Sequence, residues 1–342
     1  MAPITHTPPR RPALLSVVAP VFNEQELIGD FVSRARAAVA DYDFELVLVN
    51  DGSTDGTADL LDQIADEDWR VRVIHLSRNF GHQAALTAGL EHAAGDVVVM
   101  IDADLQDPPE LIGEMVSEWS QGADVVYAVR RQREGETAFK LATASFFYKL
   151  FDKLAQVDLE SNSGDFRLLD RRALDALLSM TERSRFLRGM TVWVGFKQTA
   201  VQYEREARHA GETKYTMSRM LRFSLDAIAS FSHVPLQLAT YAGILSAGVA
   251  FVAIPVVIIL RLLDSYLPGF GAITIAVLLL GGIQLIALGV IGEYVGRIFD
   301  EVKHRPLYIV GEERNARPQG PEAGPDSPAR AGLTARAPER VG

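Results

Sequence analysis

The chain has 342 residues, more than one average domain, and 48% of them are apolar, ample material for a core. A formal net charge of −10 argues against non-specific nucleic-acid binding, so no nucleic-acid partner is expected. With no cysteine in the chain, disulfides, thiolate zinc sites and thiol nucleophiles are excluded.

Residues 1–13 carry Pro3, Pro8, Pro9 and Pro12 among polar and basic residues, lack an apolar signal segment, and read as a flexible leader. Residues 14–21 read as a first strand, and the acidic turn from Asn23 to Glu26 opens a helix to about Val39. Residues 44–50 form a second strand. The small and glycine-rich residues 51–57 make a tight turn before a helix to about Ala65. A third strand at 71–75 precedes a helix from about Gln83 to Ala93. Residues 96–102 then read as a buried central strand, and 123–129 as another after a helix opened by Pro108 and Pro109. Strands alternating with helices predict an α/β fold with a mainly parallel, doubly wound sheet.

Asp102 and Asp104 stand at the carboxyl end of that central strand, where open α/β sheets bind ligands. Two carboxylates one residue apart suit Mg²⁺ or Mn²⁺, which keeps part of its shell for substrate phosphate oxygens. Read alone, the pair suits a turn and helix cap ahead of the prolines equally well. A dinucleotide-binding G-x-G-x-x-G and a Walker A sequence are both missing, which weakens dehydrogenase and P-loop readings. The histidines form no H-x-x-x-H pair, and no serine lies in G-x-S-x-G, so zinc and serine-hydrolase readings are weak too.

Residues 136–159 have helical periodicity with an apolar face that fits a core or a membrane surface. Asp165 and Arg167 flank a short strand, and 199–203 reads as another. The cation-rich loop at 204–215 fits a phosphate clamp or a solvated loop. Apolar residues at helical spacing between Met217 and Phe231, with Arg219 and Arg222 among them, predict an interfacial amphipathic helix over 214–234. Two apolar runs at about 236–260 and 272–293 predict a transmembrane hairpin over 235–296. Cations flanking it, Arg219, Arg222, Arg297, Lys303 and Arg305, place both termini in the cytoplasm. Residues 297–310 would be a cytoplasmic return segment and 311–342 a disordered tail.

Six segments carry a family resemblance: 18–24 (VAPVFNE), 49–57 (VNDGSTDGT), 77–81 (SRNFG), 102–109 (DADLQDPP), 163–167 (SGDFR) and 208–215 (RHAGETKY). With the hairpin they resemble the polyprenyl-phosphate glycosyltransferases of the inverting GT-A superfamily, family 2, which include bactoprenol glucosyltransferase and dolichol-phosphate mannose synthase. The Gln-x-x-Arg-Trp signature of processive synthases is absent, so the resemblance implies single transfer. It implies a GT-A domain over 14–213 in which Pro20, Phe22, Glu24, Val49 and Asp51 form the base and ribose site. Asp102 and Ala103 would line the ribose and diphosphate, and Asp104, with Asp102 and Gln106 beside it, would hold Mg²⁺ or Mn²⁺. Arg130, Arg208 and Lys214 match cations that grip donor diphosphate or acceptor phosphate, and Asp165 matches an acid near the reacting centre.

The implied activity is hexosyl transfer from a nucleotide sugar, UDP-glucose before GDP-mannose, to a polyprenyl phosphate in the bacterial inner membrane. A homo-oligomer, a tetramer by analogy with bacterial relatives, is implied as well. A different class is a non-catalytic nucleotide-sugar sensor or scaffold whose hairpin binds a partner such as a flippase.

Overall fold

A computed structural model describes residues 10–130, 163–203, 234–263 and 270–316. The described residues fall into two compact units, one of residues 10–130, 163–203 and 306–316, the other of 234–263 and 270–305.

The first unit is built on one eight-stranded sheet. Its elements in chain order are β1 (Leu15–Val21), α1 (Ile28–Ala38), β2 (Phe44–Asn50), α2 (Thr57–Glu67), β3 (Val71–Leu76), α3 (His82–His92), β4 (Val97–Met100), a 3₁₀ turn (Pro109–Leu111), α4 (Ile112–Ser120), β5 (Val125–Arg130), β6 (Ser163–Asp170), α5 (Arg171–Leu178), α6 (Leu187–Trp193), β7 (Gln198–Tyr203) and β8 (Val310–Arg314). The strand order is β7-β5-β6-β4-β1-β2-β3-β8. Every residue of β1, β2 and β4 is buried, as expected for strands covered by helices on both faces.

The strands β3, β2, β1 and β4 are parallel, as the alternating pattern predicts. The sheet as a whole is mixed, because β6 runs antiparallel between β4 and β5 and β8 runs antiparallel along β3. The β6 register has a direct consequence for the site. Met100 pairs with Arg167, so extending the antiparallel register two residues past β4 brings Asp165 opposite Asp102.

β8 corrects the start of the segment 311–342 read as a disordered tail, of which residues 317–342 lie outside the described residues. Residues 310–314 are mostly polar, which hides a strand from a hydrophobic-pattern reading, yet they pair along the β3 edge and cover it. Glu313 meets the buried guanidinium of Arg72 at 2.8 Å, and Arg72 also reaches Glu45 at 3.3 Å. Asn315 Nδ2 donates to the carbonyls of Ala65 at 2.6 Å and Val71 at 2.9 Å.

The second unit contains α7 (Val234–Leu262) and α8 (Phe270–Val302), which contact each other. Their 29 and 33 residues correspond to about 44 and 50 Å of helix. Large apolar side chains such as Leu245, Phe251 and Leu285 are exposed on them. Among the described residues, one stretch, Leu279–Val302, is long and apolar enough to cross a membrane. α8 also continues through 297–302, which the sequence assigns to a return segment. The helical region expected at 136–159 and the interfacial helix expected at 214–234 lie outside the described residues, except for Val234 at the start of α7.

Candidate active site

The carboxyl ends of β2 and β4, the start of α3 and the start of β6 converge on a group of acids. Asp51, at the end of β2, is buried and accepts from the backbone N–H of Phe80 at 2.7 Å and of Gly81 at 2.9 Å. Burial raises its pKa above the ordinary carboxylate value against the lowering effect of those two bonds, His82 and Arg78. The turn after it requires a glycine. Gly52 has φ +67°, and a Cβ there would lie 2.5 Å from the Arg78 carbonyl carbon and 2.6 Å from the Asn79 nitrogen. Gly52→Ala is therefore expected to lose about 2 kcal/mol or more of stability, read as a fall of several degrees in Tm.

Asp104 is bonded within its own turn, where its two carboxylate oxygens accept from Gln106 N and Gln106 Nε2. The turn closes through Leu105 at φ +57°, a left-handed conformation costly for leucine, of the kind that clusters at functional loops. Each oxygen keeps a second lone pair for another partner.

Asp102 differs, because its Oδ1 is buried without a hydrogen-bond partner and His82 Nε2 stands 3.5 Å away. Burial raises its pKa to about 6 although His82 opposes the shift. His82 Nε2 also lies 3.4 Å from Asp165 Oδ2. Burial would lower its pKa, but Asp165, Asp102 and Asp51 together raise it to about 9, so it is an imidazolium at neutral pH. Asp165 further accepts from Gln83 Nε2 at 3.1 Å and faces Arg188 Nε at 3.6 Å. Its burial would raise its pKa, yet His82, Arg188 and Arg167 hold it far below the usual carboxylate range. Gln83 spans the site, because its Oε1 accepts from Leu187 N at the start of α6 at 2.9 Å.

A third group lies beside these. Arg130 Nε donates to the Tyr203 hydroxyl at 2.9 Å, that hydroxyl donates to buried Asp107, and Arg130 Nη2 is 3.4 Å from the same carboxylate. Arg130 thus keeps one third of its side chain exposed while its position is fixed.

Of the other residues singled out in the sequence, Phe22 is 44% exposed at the end of β1. Glu24 is half-buried, its N–H donating to Thr57 Oγ1 at 3.0 Å. Pro20 and Val49 are buried neighbours in the β1–β2 register. Val49 has no exposed surface and packs against Gly89 of α3, so it supports the turn from inside. Ala103 and Gln106 are buried in the loop after β4. Arg208 and Lys214 lie outside the described residues.

The Glycosyl transferase family 2 model matches residues 16–178. An uncharacterized glycosyltransferase of Bacillus subtilis, YkcC, is 50% identical over 298 residues, covering 86% of this chain and 92% of that protein. The chain is a family 2 glycosyltransferase. It is also 41% identical to the bactoprenol glucosyl transferase of Shigella phage SfV over 303 residues, 88% of this chain and 99% of that one. The prophage bactoprenol glucosyl transferase homolog of Escherichia coli K12 is 41% identical over 86% of this chain and 98% of its own. The mixed α/β sheet accords with the GT-A fold that the motifs imply.

His82, Gln83, Asp107, Arg188 and Tyr203 of this glycosyltransferase have no role in the sequence reading. His82 and Gln83 directly follow the quoted segment 77–81, so position offered a signal, but a lone histidine at a helix start carries none by type. Among the described residues no three ligating side chains form a ready metal cluster. The fit to a dication is nonetheless good. Asp102 supplies a buried oxygen lacking a hydrogen-bond partner, Asp104 supplies free lone pairs, and Mg²⁺ needs one or two carboxylates when phosphates complete its shell.

The Asp165 environment gives a stability test. A depressed carboxylate pKa contributes stability that is present above the unfolded value near 3.9 and lost as pH falls through the folded value. Asp165→Asn is expected to lower Tm at pH 7, because Arg188, His82 and buried Arg167 lose their counter-charge, by an amount on the order of 3 kcal/mol. The Tm gap between parent and variant should shrink as pH falls below about 4. A gap constant from pH 7 to 3 would contradict the assignment.

Proposed function

We propose that this glycosyltransferase moves one glucose from UDP-glucose to a polyprenyl phosphate, inverting the anomeric centre and using Mg²⁺ or Mn²⁺. What carries the reading is the identity of about 40% to bactoprenol glucosyl transferases over nearly their whole length, C-terminal helices included. The site chemistry supports it. Asp51 and the turn after it would take the nucleoside, and Asp102 and Asp104 would hold the cation. That cation would neutralise charge building on the departing nucleoside diphosphate. Arg130, fixed by Asp107 and Tyr203, presents a permanent positive charge to phosphate.

The attacking group is a phosphate monoester whose second pKa is about 6, so it is already anionic near neutral pH. Asp165, deeply acidic and held by Gln83, His82 and Arg188, is poorly suited to take a proton. Its role is to fix His82 and Arg188 around the acceptor phosphate. Direct displacement from an α-linked donor then gives a β-linked lipid-phosphate sugar.

A polyprenyl chain stays in the bilayer whereas a nucleotide sugar is cytoplasmic and charged. The reading therefore makes α7 and α8 a two-pass anchor in a bacterial inner membrane, with both termini cytoplasmic. A panel of labelled UDP- and GDP-sugars, offered with undecaprenyl phosphate to the purified protein, tests it. Label should move to lipid from UDP-glucose by a wide margin. Preferential transfer from GDP-mannose would replace the glucosyl reading with a mannosyl one, and no transfer from any donor would favour a sensor or scaffold.

A further inference from the structure

Behind the turn that carries Asp51, a line of polar side chains runs across the sheet to β8. Asn50, at the end of β2, accepts from Ser53 N through Oδ1 at 3.0 Å, which directs Nδ2 toward His75 Nδ1 at 2.9 Å. Nδ1 is therefore the acceptor and the imidazole carries its proton on Nε2. Nε2 then donates to Asp62 Oδ1 of α2 at 3.1 Å. Asp62 in turn receives Arg314 of β8, whose Nε and Nη2 lie 3.3 and 3.4 Å from its two oxygens. Asn50 is 4% exposed and the His75 side chain 14%, so the centre of this line is shielded from solvent.

The same strap reaches the second loop around Asp51 by backbone. Ser77 N donates to Ile309 O at 2.9 Å, at the start of the 77–81 segment whose Phe80 and Gly81 N–H groups hold the Asp51 carboxylate. Both loops that frame Asp51 are thus tied from behind to residues 309–314. An edge strand of sequence VGEER buries little apolar surface, so hydrophobic packing does not account for its place. Its placement rests on the pairing with β3 and on the anchors at Arg72, Asp62 and Asn315.

We propose that β8 and the Asn50–His75–Asp62 line form a positioning device for the donor nucleotide, holding the two loops around Asp51 in their binding arrangement. None of these side chains needs to touch substrate. The proposal rests on the reading that the Asp51 turn takes the nucleoside.

The test uses the full chain in lipid nanodiscs, with UDP and Mg²⁺ as the calorimetric probe and the KM for undecaprenyl phosphate as a second readout. His75→Phe keeps a ring but removes both bonds, and Asp62→Ala removes the partner of His75 and Arg314. Each is expected to weaken UDP binding about tenfold while the acceptor KM stays within twofold. Asp62→Asn keeps an acceptor oxygen for His75 and should stay within about threefold of the parent. The double variant Glu313→Ala, Arg314→Ala should weaken UDP at least threefold, although neither residue belongs to the loops.

UDP affinity within twofold of the parent in Asp62→Ala and in the double variant overturns the proposal, as does an equal loss of both substrates, which marks general destabilisation. If His75→Phe does not fold, those two variants decide. Asp51→Ala separates the two levels. Unchanged UDP binding there removes the nucleotide reading and the strap with it, whereas a large loss there beside unchanged strap variants removes the strap alone.

Discussion

Asp104→Ala is expected to reduce glycosyl transfer on the order of a thousandfold, equivalent to about 4 kcal/mol of transition-state stabilisation, while leaving the fold intact. Both carboxylate bonds of Asp104 go to Gln106 two residues away, so their removal costs a local turn and no long-range packing. A circular dichroism spectrum and Tm close to the parent should accompany the loss of activity. The effect should also appear in binding. Mg²⁺ should strengthen UDP binding to the parent and do so clearly less in the variant, because one of the two carboxylates that would hold the ion is gone. An Asp104→Ala enzyme with near-parental turnover would remove the metal from the account.

The second large effect concerns Asp165. If this acid orders Arg188 and His82 around the acceptor phosphate, Asp165→Asn raises the KM for polyprenyl phosphate at least tenfold. It should lower kcat by about one to two orders of magnitude and leave measurable turnover. Arg188→Ala should show the same split, with the loss concentrated in acceptor KM. A base would behave differently, since its removal would abolish kcat and leave both affinities intact. The strongly depressed pKa argues against that outcome, because an acid so weakly basic provides little driving force for proton abstraction at neutral pH.

Much of the site was legible because its parts are local. The apolar run ending at Asp102 names the central strand and its tip without help from the rest of the chain, and the glycine and small residues of 51–57 name the turn after β2. What escaped depends on contacts distant in sequence. The direction of β6 is not written in its own residues, and it is the antiparallel register that sets Asp165 against Asp102. His82 gains meaning only when Asp102 and Asp165 close on it from two strands. Tyr203 and Asp107, 96 positions apart, become the fixture of Arg130 only once β7 lies beside β5. β8 was misread because a strand held at a sheet edge by backbone pairing and ion pairs has no apolar alternation to detect.

The proposed reaction requires Asp102 and Asp104, at the tip of β4, to hold a cation that lets UDP leave as a lipid phosphate attacks. Its most direct measurement is transfer of label from UDP-glucose to undecaprenyl phosphate by the purified full chain, with Mg²⁺ and then with excess EDTA, and with the product's anomeric configuration read by NMR. A β-linked lipid-phosphate glucose should form with the metal, be abolished by the chelator and return on addition of Mg²⁺ or Mn²⁺. Undiminished transfer in EDTA, or an α-linked product, would contradict it.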